Sequence, residues 1–288
     1  MKQRKAAQRP WMLAAMTPSA MIAAETPGPW AALTGAVCGI LNMLAVRWGK
    51  TGPRWVRFLY VLLLVALLMP LAERCWVNES GIPAIGLTLL LLAAASTWKS
   101  GENANRTGNV IFWLEAILLG MFALAGLKDW KWQGVPAGGY RWELIPLLLL
   151  PTLGGEQTDG KDGWKIGIGT FLIPTVFALL ATGQMPGIQS DGFRKLAQSV
   201  GVPGLSGRMD AVAACAMTLG FFAAMSRGIS VGIEGLEGKR RGTAIIVLTA
   251  VGAIVAFTQL NAVKILVLWT LVCYMTNFPA KQKKIEKT

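Results

Sequence analysis

Glu115 stands in the middle of an apolar run, residues 110–127. If that run crosses a bilayer, an ionised carboxyl there costs about 2–3 kcal/mol or more. It must face the protein interior and meet a basic or hydroxyl partner. Two roles stay open for it: coupling to a proton or cation, and an interior structural bond. Hydroxyls and glycines at two other places offer complementary chemistry. Thr17-Pro18-Ser19 interrupts one short apolar run. Thr152-Leu153-Gly154-Gly155 closes another, which also contains Pro146 and Pro151. A proline removes a backbone donor and breaks a helix, so nearby carbonyls and amides need new partners. Those groups could hold the amine and carboxylate of a small zwitterion, with Pro18 supplying the break. The hydroxyls of Thr17, Ser19 and Thr152 and the bare backbone at Gly154 and Gly155 would assist. Thr218, in a later run, could line the same cavity. The plainer alternative for each hydroxyl is a bond to the preceding turn of its own helix. For each glycine it is close helix packing.

Two further charged pairs stand out. Glu102 and Arg106 share a polar stretch read as a tight loop, and Arg208 and Asp210 precede an apolar run. Both pairs suit fold-locking ion pairs, and Asp210 also suits a helix N-cap. The chain has no histidine, and its four cysteines form no Cys-x-x-Cys pair. Histidine-based acid–base catalysis and most zinc sites are thereby removed. With no nucleophile motif and no clustered carboxylate pair, no enzyme, metal site or cofactor is expected.

The elements that position these residues follow from composition. Of 288 residues, 53% are hydrophobic and 15% charged, against about 25% charged in soluble domains. Apolar runs recur throughout, and about ten approach the length that spans a bilayer. They cover residues 11–24, 29–46, 56–72, 82–98, 110–127, 142–153, 166–182, 211–226, 243–258 and 262–278. The fold class expected is an all-α polytopic membrane protein. A single transmembrane domain would fill 1–288. Basic tails lie at 1–10 and 280–288, and five-helix halves at 11–141 and 142–279. Spans one and six are both short and proline-interrupted, and they hold equivalent places in the two halves. That arrangement points to a transporter-like binding site. The segment 193–200 suits a short interfacial helix.

The net charge is +13, but the basic residues sit between apolar runs. That suits anionic lipid rather than nucleic acid. With the N-terminus in the cytoplasm and ten crossings, the outer segments carry Arg74, Lys128, Lys131, Arg141, Arg194, Lys195 and Arg208. Lys264 lies within the last span, and every other lysine and arginine, Arg227 included, falls inside. The bias favours a multi-pass cell-membrane protein with both termini cytoplasmic. Several tryptophans near span ends, Trp30, Trp55, Trp98 and Trp130 among them, suit an interfacial belt.

Two stretches carry a resemblance. Residues 90–118 hold an apolar helix, then Gly101-Glu102, then Arg106 and the next helix. Residues 193–226 hold a basic amphipathic segment, then Arg208-x-Asp210 opening an apolar helix. Their order and the surrounding spans resemble the spore germination permease family. These are the membrane-embedded B-type subunits of nutrient germinant receptors, related to amino-acid permeases of the APC superfamily. The resemblance implies a five-plus-five inverted repeat with broken first and sixth helices. It implies recognition of a small nutrient such as an amino acid, in the spore inner membrane, beside A-type and C-type receptor subunits. Two other functions remain open on the residues alone: a secondary amino-acid transporter, and a structural membrane partner with a degenerate ligand site.

Overall fold

The apolar runs fold as helices of matching length. The structure is a computed structural model that describes residues 12–48, 52–76, 84–98, 101–128, 130–131, 139–153, 163–184, 192–200, 209–258 and 263–277. Among them no strand occurs. In chain order the helices are α1 (Pro18–Ala24), α2 (Gly28–Trp48), α3 (Arg54–Trp76), α4 (Ala84–Trp98) and α5 (Gly101–Lys128). Next come α6 (Leu144–Leu149), which passes into a 3-10 turn at Leu150–Thr152, and α7 (Gly163–Gln184). The last four are α8 (Gly192–Ser199), α9 (Met209–Ile233), α10 (Gly238–Phe257) and α11 (Val263–Asn277). Among the described residues, six helices are long and apolar enough to cross a membrane: α2, α3, α5, α7, α9 and α10. Met12–Ala24, α4 and Val263–Thr276 are shorter apolar helices.

Burial separates centre from rim. In α3, 72% of the spanning window is buried, against 22% in α5 and in α10. Helix α3 is therefore central, packed by α4, α9, α10 and α11. The peripheral helices show large apolar side chains outward, among them Leu124, Ile254, Leu268 and Met275. In water such a surface would be an aggregation face; against lipid it is the ordinary solvent-facing side. The chain reads as membrane-embedded on this evidence.

Helices α2 and α7 pack closely along their length, and small residues make it possible. Each carries a Gly-x-x-x-Gly pattern, Gly35/Gly39 on α2 and Gly163/Gly167 on α7. A Cβ on Gly39 would sit 2.7 Å from the backbone oxygen of Gly167. Only glycine lets the two backbones come this near.

Two expectations change here. Helix α5 begins at Gly101, so Glu102 and Arg106 occupy its first turns rather than a tight loop. A polar helix end needs no hydrocarbon, so hydropathy alone places the start too late. Arg227, assigned by charge to a loop, lies within α9 and is 1% exposed.

Candidate functional site

The first and sixth runs are both interrupted, and the two pack against one another through α1 and α6. Their interruptions differ in kind. In the first, residues 15–17 form a tight turn between Met12–Ala14 and α1. The amides of Met16, Thr17, Ser19 and Ala20 bond the carbonyls of Leu13, Ala14, Met16 and Thr17. The chain is thus over-wound through Pro18, not unwound, and these amides are satisfied locally. In the sixth, α6 tightens into the 3-10 turn containing Pro151. There the carbonyls reach outward to other helices.

Three carbonyls of the sixth stretch are taken by side chains. Tyr60 of α3 donates to Pro146 O at 3.0 Å, and Asn42 Nδ2 of α2 donates to Leu148 O at 2.8 Å. Arg227 of α9 donates to Pro151 O at 3.1 Å. The Asn42 side chain is saturated. Its second amide hydrogen reaches Thr170 Oγ1 at 2.9 Å, and its Oδ1 accepts from Thr152 Oγ1 at 2.7 Å and Tyr274 OH at 2.6 Å. Two donors and two acceptor sites are what a primary amide has to offer. Thr170 gives its hydrogen to Ile166 O at 2.7 Å, and its oxygen lies 3.3 Å from Met16 Sδ. A hydrogen-bonded chain therefore links the sixth run through α2 to α7, where Thr170 also touches Met16 in the turn of the first run.

The first run faces different partners. Thr17 Oγ1 donates to Glu115 Oε2 of α5 at 2.8 Å. Glu115 is 3% exposed, and its Oε1 has no partner among the described residues. Ser19 Oγ, wholly buried, has none either. On the opposite side Thr17 and Pro18 press on α9, where a Cβ on Gly220 would lie 2.6 Å from Thr17 Cβ. At the far end of α1, Glu25 is buried and accepts from Arg74 at 2.5 Å, while Arg141 lies 3.4 Å from its other oxygen. The residues that close the first run, end α3 and precede α6 are thus held at one point.

A hydrogen-bond count also orients Tyr140, which lies ahead of α6. Thr34 donates its one hydrogen to Trp30 O at 2.7 Å, so Tyr140 OH must donate to Thr34 Oγ1 at 2.9 Å. Burial pushes the Tyr140 phenol above its ordinary pKa, which keeps that hydrogen in place.

Of the residues singled out by sequence, the structure brings Thr17 and Glu115 together, with Pro18 and Ser19 next along the chain, and bonds Thr152 through Asn42 to Thr170, which touches Met16. Thr218 Oγ1 donates to Ala214 O of its own helix at 2.8 Å. Asp210 sits in the first turn of α9, where its Oδ1 accepts from Ala211 N–H at 2.8 Å, one position inside the helix start. Gly154, Gly155 and Arg208, and the side chains of Glu102 and Arg106, lie outside the described residues.

Sequence reasoning passed over Asn42, Thr170, Tyr60, Tyr274 and Arg227. A signal existed for one of them: Asn42 is the lone amide in the run at 29–46, and an amide in hydrocarbon demands partners. No family model matches this chain, and no curated protein matches it in sequence.

Proposed function

We propose that this chain senses a small nutrient such as an amino acid from within the membrane. On this reading it is the B-type subunit of a germinant receptor, working with A-type and C-type subunits in the spore inner membrane. Its ten runs form a five-plus-five inverted repeat, with both termini cytoplasmic. One observation carries the sensing role: beside the turn of the first interrupted run, two buried polar atoms have no partner among the described residues, Ser19 Oγ on α1 and Glu115 Oε1 on α5. A buried polar atom left unbonded is costly, and a guest with an amine and a hydroxyl or carboxylate relieves that cost. Binding would then favour one of two helix arrangements, and the difference would pass to partner subunits.

Purified protein in lipid nanodiscs, titrated with labelled amino acids, tests this. At least one should bind saturably, and Ser19→Ala or Thr17→Val should each weaken it by about tenfold. If none of the twenty binds, the sensing role fails and a structural membrane partner becomes the better description. A secondary transporter is the second reading, favoured by Glu115 at mid-helix. Uptake of labelled amino acid into proteoliposomes, lost in Glu115→Gln, would establish it. Saturable binding without uptake would leave the sensor.

A further inference from the structure

Between α5 and α7 lies a groove of about 440 Å³. Its walls are apolar, with Phe112 and Leu119 on one side and Leu172 and Phe177 on the other. Thr17 and Glu115 are its two polar-side-chain lining residues. A Cβ on Gly120 would meet nothing within 4 Å, so the α5 wall is open there. Leu172 is itself exposed, as are Ile117 on α5 and Phe171 on α7. The groove therefore opens on the apolar outer surface, where lipid would stand.

The floor is electrostatically incomplete. Thr17 supplies one hydrogen bond to the Glu115 carboxyl, and the second oxygen receives none. Among the described residues no lysine or arginine forms an ion pair with it. A carboxylate near the middle of a spanning helix requires a cation or several donors. An ammonium supplies both, with three N–H groups on one positive centre. An alcohol lacks the charge, and a carboxylic acid brings the wrong one. The walls fit a hydrocarbon or aryl body, and the volume is that of an ordinary small-molecule site.

We infer that this groove, lined by Glu115, Thr17, Phe112 and Phe177, is a lipid-accessible binding site for a hydrophobic primary amine. The ammonium pairs with the Glu115 carboxyl as that buried side chain turns toward the groove, and the apolar body lies between α5 and α7. The amine arrives by partitioning into the bilayer and then moving sideways. This inference shares the Glu115 oxygen with the nutrient-sensing reading but gives it a different ligand and route of entry, and it requires neither a water-soluble ligand nor partner subunits.

The full chain in phosphatidylcholine nanodiscs, with a diazirine-bearing phenylethylamine as photolabel, provides the test. Label should concentrate in peptides covering residues 112–120 and 169–177. Unlabelled 2-phenylethylamine should compete about tenfold better than 2-phenylethanol, the margin expected of a charge-assisted bond. Glu115→Gln should abolish that preference. Gly120→Leu fills the open wall without touching the carboxyl, and should cut labelling while the protein elutes normally. Label spread evenly over all lipid-facing helices would overturn the site. So would equal competition by amine and alcohol, or undiminished labelling in Gly120→Leu. If Glu115→Gln does not fold, the competition ratio and Gly120→Leu decide together.

Discussion

Asn42 is the residue on which most depends, because its amide has no bonding capacity left over. Removing it takes a hydrogen-bond partner from Leu148 O, Thr170, Thr152 and Tyr274 at once in a buried interior, and leaves Thr152 and Tyr274 only their bond to one another from this cluster. Asn42→Ala should therefore lower stability by about 1–3 kcal/mol, read as a fall in the unfolding temperature in detergent. Thr170→Val should cost less, since its oxygen serves one Asn42 hydrogen and its own hydrogen only replaces a bond within its helix. A second residue-scale prediction concerns Gly183. A Cβ there would fall 1.9 Å from Trp130 Nε1, which bonds Leu179 O at 2.9 Å. Gly183→Ala should displace the indole and destabilise about as much as Trp130→Ala. The double variant should be no worse than either alone, because both remove one shared contact. Sequence reading placed Trp130 in an interfacial belt. Its ring also closes over the end of α7, which a position near a span end does not reveal.

At the scale of elements, the α2–α7 crossing is fixed by backbone-to-backbone contact. Gly39→Val should destabilise by about 2 kcal/mol or more, since the obstructing atom is a peptide oxygen that cannot rotate away. Gly120→Ala, on an open face, should change stability little, and thermal unfolding of the two variants side by side checks the contrast. Both Gly-x-x-x-Gly patterns were visible in the chain, at Gly35/Gly39 and Gly163/Gly167. Which helices they would join was not, because one sequence carries no record of who packs on whom. Span positions fared better: the apolar run at 29–46 lies inside α2 and that at 56–72 inside α3. Hydropathy detects the part of a helix that sits in hydrocarbon. It misses polar turns beyond, as at the start of α5. The Thr17–Glu115 contact joins two residues noticed for different reasons, Thr17 as a hydroxyl beside the Pro18 interruption and Glu115 as a carboxyl in an apolar run. Asn42 and Tyr274 escaped notice because single amides and phenols in membrane runs are usually satisfied without comment.

Across the whole molecule, the excess of lysine and arginine at one set of segments predicts a cytoplasmic C-terminus. A fluorescent protein fused after Thr288 should fluoresce, and a cysteine placed at Lys239 should resist an impermeant maleimide added outside intact cells. Labelling at that position from outside would reverse the topology. Arg227, buried and bonded to Pro151 O, contributes nothing to this vote despite its charge. Its burial was hidden because hydropathy ends the run at 226, while α9 continues to Ile233.

The bonds to Pro146, Leu148 and Pro151 make the sixth run the fulcrum of any rocking motion. Helices α2, α3 and α9 each grip it by a separate carbonyl, so it can shift only if all three let go or travel together. Among the described residues the first run is held by side chains rather than by its carbonyls: Thr17 on Glu115, sulfur contacts at Met16 and Met21, and the Glu25 clasp at its end. Any lever stroke in this protein should therefore swing residues 12–24, while 144–152 keep their place.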